Sequence, residues 1–328
     1  MRGLLAWLLV VSTAFVGCTQ DFPKSSRVDK LRVLAMSVDT PEVAPGETVQ
    51  VSALVVNVDG ADITYEWRAC PLREQGRGTF GGGSGTGASG GSAYELKSPG
   101  TCHDLELVAP ELVQDLGSGP SATVTVPDDI LTDANVQEYY GLGEGTLPDM
   151  ILTGIKTIAG INYTIGLRVR SGDQVIDAFK RVNVSLSPDP NTNPADMAFA
   201  FRDLDTDFEG SEVGVAANPG GCLLEETALN VPGHVLRPLN IPEEPPTYQV
   251  IGGTTDPSLP FSLYDTEETL FYSYFSTHGN FEDRITKSKG QSEVRWTFTE
   301  KPLEPVDLWV VVRDGRGGAA WCHSRIEP

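Results

Sequence analysis

Short runs with an apolar residue at every second position, broken by glycine and proline, constrain this chain more than any other feature. Val49, Val51, Ala53 and Val55 fall on one face of an extended segment, and Ile63, Tyr65 and Trp67 repeat the alternation after a turn at Asp59-Gly60. A period of two is the mark of a strand with one buried face. Further strands are expected over 31–36, 122–126, 269–275, 294–298, 306–313 and 319–326, and a closing hairpin over 161–170 and 175–186 turns at Ser171, Gly172 and Asp173. A short helix is expected within 128–140, with Asp128 or Asp129 placed to cap it. Many short strands with Gly and Pro between them argue for an all-β chain.

The chain has 328 residues, enough for two domains. A proline-rich stretch over 188–195 divides it into a first domain at 31–187 and a second at 196–328. A glycine–serine tract at 75–93 reads as an insertion in the first domain. Residues 210–260 carry so much Pro and Gly that pattern alone does not place them.

Residues 1–17 read as an export signal. Arg2 gives a positive start, and the apolar run from Leu4 to Val16 is too short to cross ~30 Å of hydrocarbon comfortably. Phe15, Val16 and Gly17 before Cys18 resemble the lipobox of bacterial lipoproteins, though Phe15 stands where that motif usually has Leu. The resemblance implies that Cys18 is acylated and becomes the mature N-terminus. Residues 18–30 would then be a lipidated tether; an ordinary cleaved secretion signal is the alternative. Thr19 stands where the inner-membrane retention signal has Asp, so family analogy favours the outer membrane of a Gram-negative cell.

Four cysteines remain: Cys70, Cys102, Cys222 and Cys322. An even number in an oxidising compartment suggests disulfides, and four cysteines allow three pairings that sequence does not choose among. A two-domain division favours Cys70 with Cys102 and Cys222 with Cys322. Free buried thiols are the bland alternative, and no two cysteines have the close spacing of a zinc knuckle.

Pro45-Gly46-Glu47, the alternation from Val49 to Val55, and Trp67 on what would be strand C resemble the opening of immunoglobulin-like and polycystic-kidney-disease-type β-sandwiches. In that fold a buried tryptophan plugs the space between two sheets. Cys70 follows the tryptophan instead of preceding it, so the usual inter-sheet disulfide does not carry over. Residues 33–55 followed by 65–70 also resemble surface lipoproteins of myxobacteria, which implies an envelope location and no particular activity. The expected architecture is two immunoglobulin-like β-sandwich domains after a lipoprotein signal and a short tether.

The net charge of −21 argues against charge-driven binding of nucleic acid or anionic headgroups, because both would be repelled. Solubility explains the acidity most simply. A sharper reading is a calcium loop, with Asp203, Asp205 and Asp207 as candidate ligands at alternate positions; an EF-hand loop would need glycine where Phe208 stands. GxGxxG and GxSxG matches at 85–91 fall inside the glycine tract, without the strand and helix such motifs require. His103, His234, His278 and His323 lack metal-binding spacing, and adjacent Cys–His pairs on a strand would point to opposite faces. Tyr272 and Tyr274 could share a face as a carbohydrate platform, against the plainer reading of core packing.

The functional expectation is an envelope lipoprotein with a binding or structural role and no cofactor, calcium aside. Its partner would be an envelope protein or a surface polysaccharide. The alternative is a carboxylate-dependent hydrolase acting on surface polysaccharide, which would require two facing carboxylates with separated pKa values.

Overall fold

The structure is a computed structural model that describes residues 26–71, 101–107, 109–140, 148–195, 197–204, 221–223, 229, 233–239, 241–242, 244–252, 262–290 and 292–328. Cys18 and the export signal, the glycine–serine tract, and Asp205 and Asp207 lie outside the described residues. Among the described residues no helix is long and apolar enough to cross a membrane.

In the first half, β1 (Arg32–Val38), β2 (Glu42–Val43), β3 (Thr48–Val56) and β4 (Thr64–Cys70) follow one another. Then come helix α1 (Cys102–Glu106), β5 (Gln114–Gly117), β6 (Ser121–Thr125), helices α2 (Asp133–Tyr139) and α3 (Asp149–Ile158), and the long hairpin β7 (Ile161–Ser171) to β8 (Gln174–Val184). They build a three-stranded sheet, β1-β3-β6, and a five-stranded sheet, β2-β8-β7-β4-β5. The inner faces share one core, to which Val49, Val51 and Val124 come from the first sheet, and Trp67, Ile165, Leu167 and Val182 from the second. Trp67 is fully buried, and its indole N–H donates to the Gly119 carbonyl at 2.8 Å. A buried indole needs such an acceptor to sit in an apolar core without penalty.

The second half runs β9 (Phe199–Asp203), β10 (Gly233–Pro238), β11 (Thr247–Gly252), β12 (Ser262–Glu267), β13 (Phe271–Ser276), β14 (Asn280–Phe281), β15 (Ile285–Lys287), β16 (Val294–Thr297), β17 (Val306–Arg313) and β18 (Ala319–Ile326). Two four-stranded sheets, β14-β16-β10-β9 and β15-β13-β17-β18, enclose a second core containing Phe199, Leu236, Trp296, Leu308 and Val310. The β11–β12 ribbon stands apart, and Ile251 on β11 packs against the core of the first half. The architecture is therefore largely β-sheet, in several small sheets.

Three elements depart from the sequence reading. Residues 26–30, expected in the tether, are packed: Val28 is buried and its N–H donates to the Ser276 carbonyl at 2.9 Å. Helix α2 is capped by Thr132, whose hydroxyl accepts from the Asn135 N–H, and not by Asp128 or Asp129. Residues 188–195 do connect the two halves, but Asn191 is only 5% exposed, so this stretch is built into the molecule. A third apolar cluster lies where the halves meet, with Leu34 and Ala35 of β1 against Trp309 and Val311 of β17. Leu54, Phe275 and Trp321 pack around it.

Candidate functional site

The four described cysteines form two disulfides. Cys70 at the end of β4 is bonded to Cys102 at the start of α1, and Cys222, beside β9, to Cys322 on β18. The second ties one sheet of the second half to the other. Tyr272 and Tyr274 do share a face of β13, but it is the inner one: they are 4% and 0% exposed and pack edge-on to Phe199. A sugar cannot stack on rings already enclosed, so the pair packs the core, the plainer of the two readings, and the platform is ruled out for it.

The histidines are scattered among structural partners. His103, buried on α1, has Nε2 at 3.2 Å from the Glu66 carbonyl. Burial first, and the Arg168 guanidinium second, hold its pKa below the ordinary value. His234 is buried on β10, with its ring stacked on Phe201 and Nδ1 3.2 Å from Asp203 Oδ1. His323 lies flat on Trp309, with Nε2 2.8 Å from Asp307 Oδ1. Of the three candidate calcium ligands, the described residues include Asp203 alone, at the end of β9 and facing that imidazole. Among the described residues no group of three or more His, Cys, Asp or Glu side chains is placed to hold a metal ion.

The densest polar constellation is one that sequence reasoning passed over. It lies along the seam between the halves. Glu42 on β2, 4% exposed, accepts from Asn183 Nδ2 (3.1 Å), Ser185 Oγ (2.7 Å) and the Asn191 N–H (2.8 Å), and Arg316 Nη2 approaches at 3.5 Å. Asp314, at the tip of the β17–β18 hairpin and 2% exposed, accepts from Asn191 Nδ2 (2.6 Å), the Arg316 N–H (2.7 Å) and the Gly318 N–H (2.9 Å). Asn191 thus joins a buried carboxylate of each half. Asn193 continues the strap, donating to the Val38 carbonyl at 2.6 Å and accepting from the Ala319 N–H at 2.9 Å. Buried carboxylates are tolerated only when their lone pairs are matched in this way. Gly318 is required sterically, since a Cβ there would overlap the Asp314 carboxylate and come within 2.9 Å of the Thr192 carbonyl.

Lys180 on β8 closes the far side of the seam by donating to the Gly317 carbonyl. Burial pushes its pKa down to about 8, against the raising effect of Asp314. Below pH 8 the folded chain therefore carries a charge it holds less favourably than the unfolded chain does. That deficit is relieved as pH rises from the folded value toward the ordinary 10.5. The buried tyrosines, such as Tyr272 pushed up to about 12, act in the opposite sense as pH approaches and passes their ordinary 10. Urea unfolding should therefore show stability rising by roughly 1 kcal/mol between pH 8 and 9, before the tyrosines oppose it. Lys180→Met should flatten that rise, and an unchanged slope in the variant would place the titration elsewhere.

Arg316 leads from the seam to a cavity. Its guanidinium lies over the Tyr248 ring at 4.3 Å, and Nη1 is 3.9 Å from Glu268 Oε2. Glu268 forms part of a cavity of about 340 Å³ with Pro242, Pro245, Pro246, Glu267 and Lys289. Burial first, then the Asp314 carboxylate, raise the Glu268 pKa, and Arg316 offsets them in part. Glu267 is ion-paired with Lys289 at the rim. A glycosidase pair would face one another across the substrate; here Glu267 is paired with Lys289, and Glu268 lies 3.9 Å from Arg316.

Sequence reasoning missed the seam because its residues read as punctuation. Asn191 and Asn193 sit among prolines and Asp314 opens a glycine turn, all ordinary loop signals.

No family profile matches the sequence, and no curated protein is significantly similar. Among solved structures, the D0-D1 domain of intimin shows 11% identity and a TM-score of 0.19, over 90% of this chain and 99% of that one. The Yersinia pseudotuberculosis adhesin InvE shows 8% identity and a TM-score of 0.16, over 90% of this chain and 60% of that one. Three N-terminal domains of the bacteriophage RB49 outer capsid protein Hoc show 9% identity and a TM-score of 0.17, over 91% and 70%. Scores of this size do not carry a fold or a function from those proteins to this chain.

Proposed function

We propose that the chain is a cell-envelope lipoprotein, anchored through Cys18 and built of two immunoglobulin-like sandwiches that bind or support a partner as one rigid unit. The observation that carries this reading is the seam. Glu42, Asn191 and Asp314, all buried, are engaged in fixing one half against the other. A stiff body of fixed shape on a tether presents its surfaces without an ordering cost on binding. The partner would be another envelope protein or a surface polysaccharide.

The test is intact-mass spectrometry of protein extracted from native membranes, with and without reduction and beside Cys18→Ala. The reading expects a mature chain beginning at acylated Cys18 that gains four hydrogens on reduction, and Cys18→Ala that leaves the membrane fraction. An unmodified mass with a different N-terminus would make it a soluble secreted protein and remove the tether. Capture from envelope fractions with the anchored protein then identifies the partner.

A further inference from the structure

Five residues are too few for a helix to persist by itself, so α1 (Cys102–Glu106) keeps its shape only while docked on the five-stranded sheet. Three side chains dock it. Cys102 is bonded to Cys70 and lies against Gly166, where an added Cβ would come within 3.2 Å of the Cys102 Cβ. Glu106 is ion-paired with Arg68 Nε at 2.9 Å, but its side chain is 38% exposed, and such a pair holds weakly. His103 is the third, and it is buried. Its Nε2–H donates to the Glu66 carbonyl at 3.2 Å, which leaves Nδ1 as a buried acceptor with no hydrogen-bond partner among the described residues.

We propose that His103 is a proton-operated latch, which seats α1 on the sheet while the ring is neutral and lets α1 swing out on the Cys70–Cys102 bond once the ring is protonated. A further proton has to go on Nδ1, where no acceptor stands. Protonation therefore turns an unmet acceptor into an unmet, charged donor, the costlier of the two. The surroundings oppose the charge as well. Arg168 on β7 and Arg68 on β4 both disfavour an imidazolium. Asp177 on β8 favours it, but its two oxygens already accept from Arg168 Nε at 2.7 Å and Nη2 at 2.9 Å. Glu66 Oε1 accepts from Arg170, Glu106 is on Arg68, and Asp104 of α1 accepts from the Thr101 hydroxyl. Glu111, on the Pro110–Leu112 turn packed against α1, completes the charged groups of the neighbouring elements.

The sign follows from the docked ring titrating below the ordinary 6.5, through burial first and Arg168 second. An undocked ring regains the ordinary value. Docking is therefore complete above pH 6.5 and is progressively lost as pH falls below it. Asp177, held under the usual carboxylate range by its bonds to Arg168, stays ionised through the same window. A docked single turn opens at little cost, so one proton is enough to shift it while the sheet beneath stays closed.

Hydrogen exchange on the full chain with its disulfides intact tests the latch, each amide rate being divided by its intrinsic rate at that pH. The reporters are the Leu105 N–H on the Thr101 carbonyl at 3.0 Å and the Ala109 N–H on the Leu105 carbonyl at 2.8 Å. The Leu167 N–H of β7 is the reference. Between about pH 7.5 and about pH 5.5, opening of α1 should rise up to about tenfold while β7 is unchanged. His103→Gln keeps an N–H for the Glu66 carbonyl and does not titrate, so it should abolish the rise. A flat wild type, or an equal rise in His103→Gln, overturns the latch. Should His103→Gln leave α1 undocked at every pH, the NMR titration of the His103 imidazole decides. A midpoint below 6.5 that climbs in Arg168→Gln supports the latch, and a midpoint at or above 6.5 in the wild type overturns it.

Discussion

Replacing Asp314 by alanine is expected to lower the free energy of unfolding by about 3–5 kcal/mol. The carboxylate is 2% exposed and accepts from Asn191 Nδ2, the Arg316 N–H and the Gly318 N–H within 2.6–2.9 Å. Truncation leaves those donors facing a small void, and each stranded buried donor costs ~1–3 kcal/mol. Removing the negative charge also deprives Lys180 of the neighbour that holds its proton on. Asp314→Asn should be milder. Its Oδ1 still accepts from the two backbone N–H groups, while its amide meets the Asn191 amide donor to donor. Urea unfolding followed by tryptophan fluorescence tests the expectation, because Trp309 and Trp321 flank the apolar contact between the halves. A loss under about 1 kcal/mol would mean that water replaces the lost acceptor and that the seam is not sealed. A single transition that splits in two would show the halves uncoupling.

The location of the strands was legible because alternation is a local property. Strands β17 and β18 begin and end where apolar periodicity meets Gly and Pro, and Trp67 lands in the first core as its place in the pattern implies. The aromatic run of β13 was readable as a strand, but which face turned inward was not. That depends on the opposite sheet, which puts Phe199 against Tyr272 and Tyr274. Helix α3 went unread for a different reason. Its buried Leu152 and Ile155 are helix-spaced, but Thr153, Gly154 and three isoleucines weaken the propensity signal. Strand β11 lay in the Pro- and Gly-rich stretch at 210–260, where no pattern stood out, and β12 follows just after it.

The seam was illegible in principle. Burial of Glu42 and Asp314 depends on residues 141 and 123 positions away in sequence, Asn183 and Asn191 respectively. Nothing local distinguishes a solvated turn aspartate from one enclosed by a second sheet. The same limit applies to the cavity: Pro245 and Pro246 read as loop residues until the Glu268 N–H is seen to dock on the Pro246 carbonyl. Polar residues in linkers are informative only once the surfaces they separate are known.

Breaking the Cys222–Cys322 disulfide should cost more than breaking Cys70–Cys102. The bonds close loops of 100 and 32 residues. In the chain-entropy model these correspond to about 4.7 and about 3.7 kcal/mol of restriction on the unfolded chain. The native contexts push the same way. Cys322 belongs to the second core and joins β18 to the segment paired with β9, so its loss also frees the contact between two sheets. Cys70 joins a central strand to α1, a single turn that packs on the outside of β7 near Gly166. Alanine pairs at 70/102 and at 222/322 should therefore both unfold at lower urea, with the second pair shifted further by about 1 kcal/mol. Equal losses would mean that neither loop length nor the link between the two sheets sets the cost. A larger loss at 70/102 would show that α1 is required to hold the edge of the five-stranded sheet, and that the first half, not the second, depends most on its crosslink.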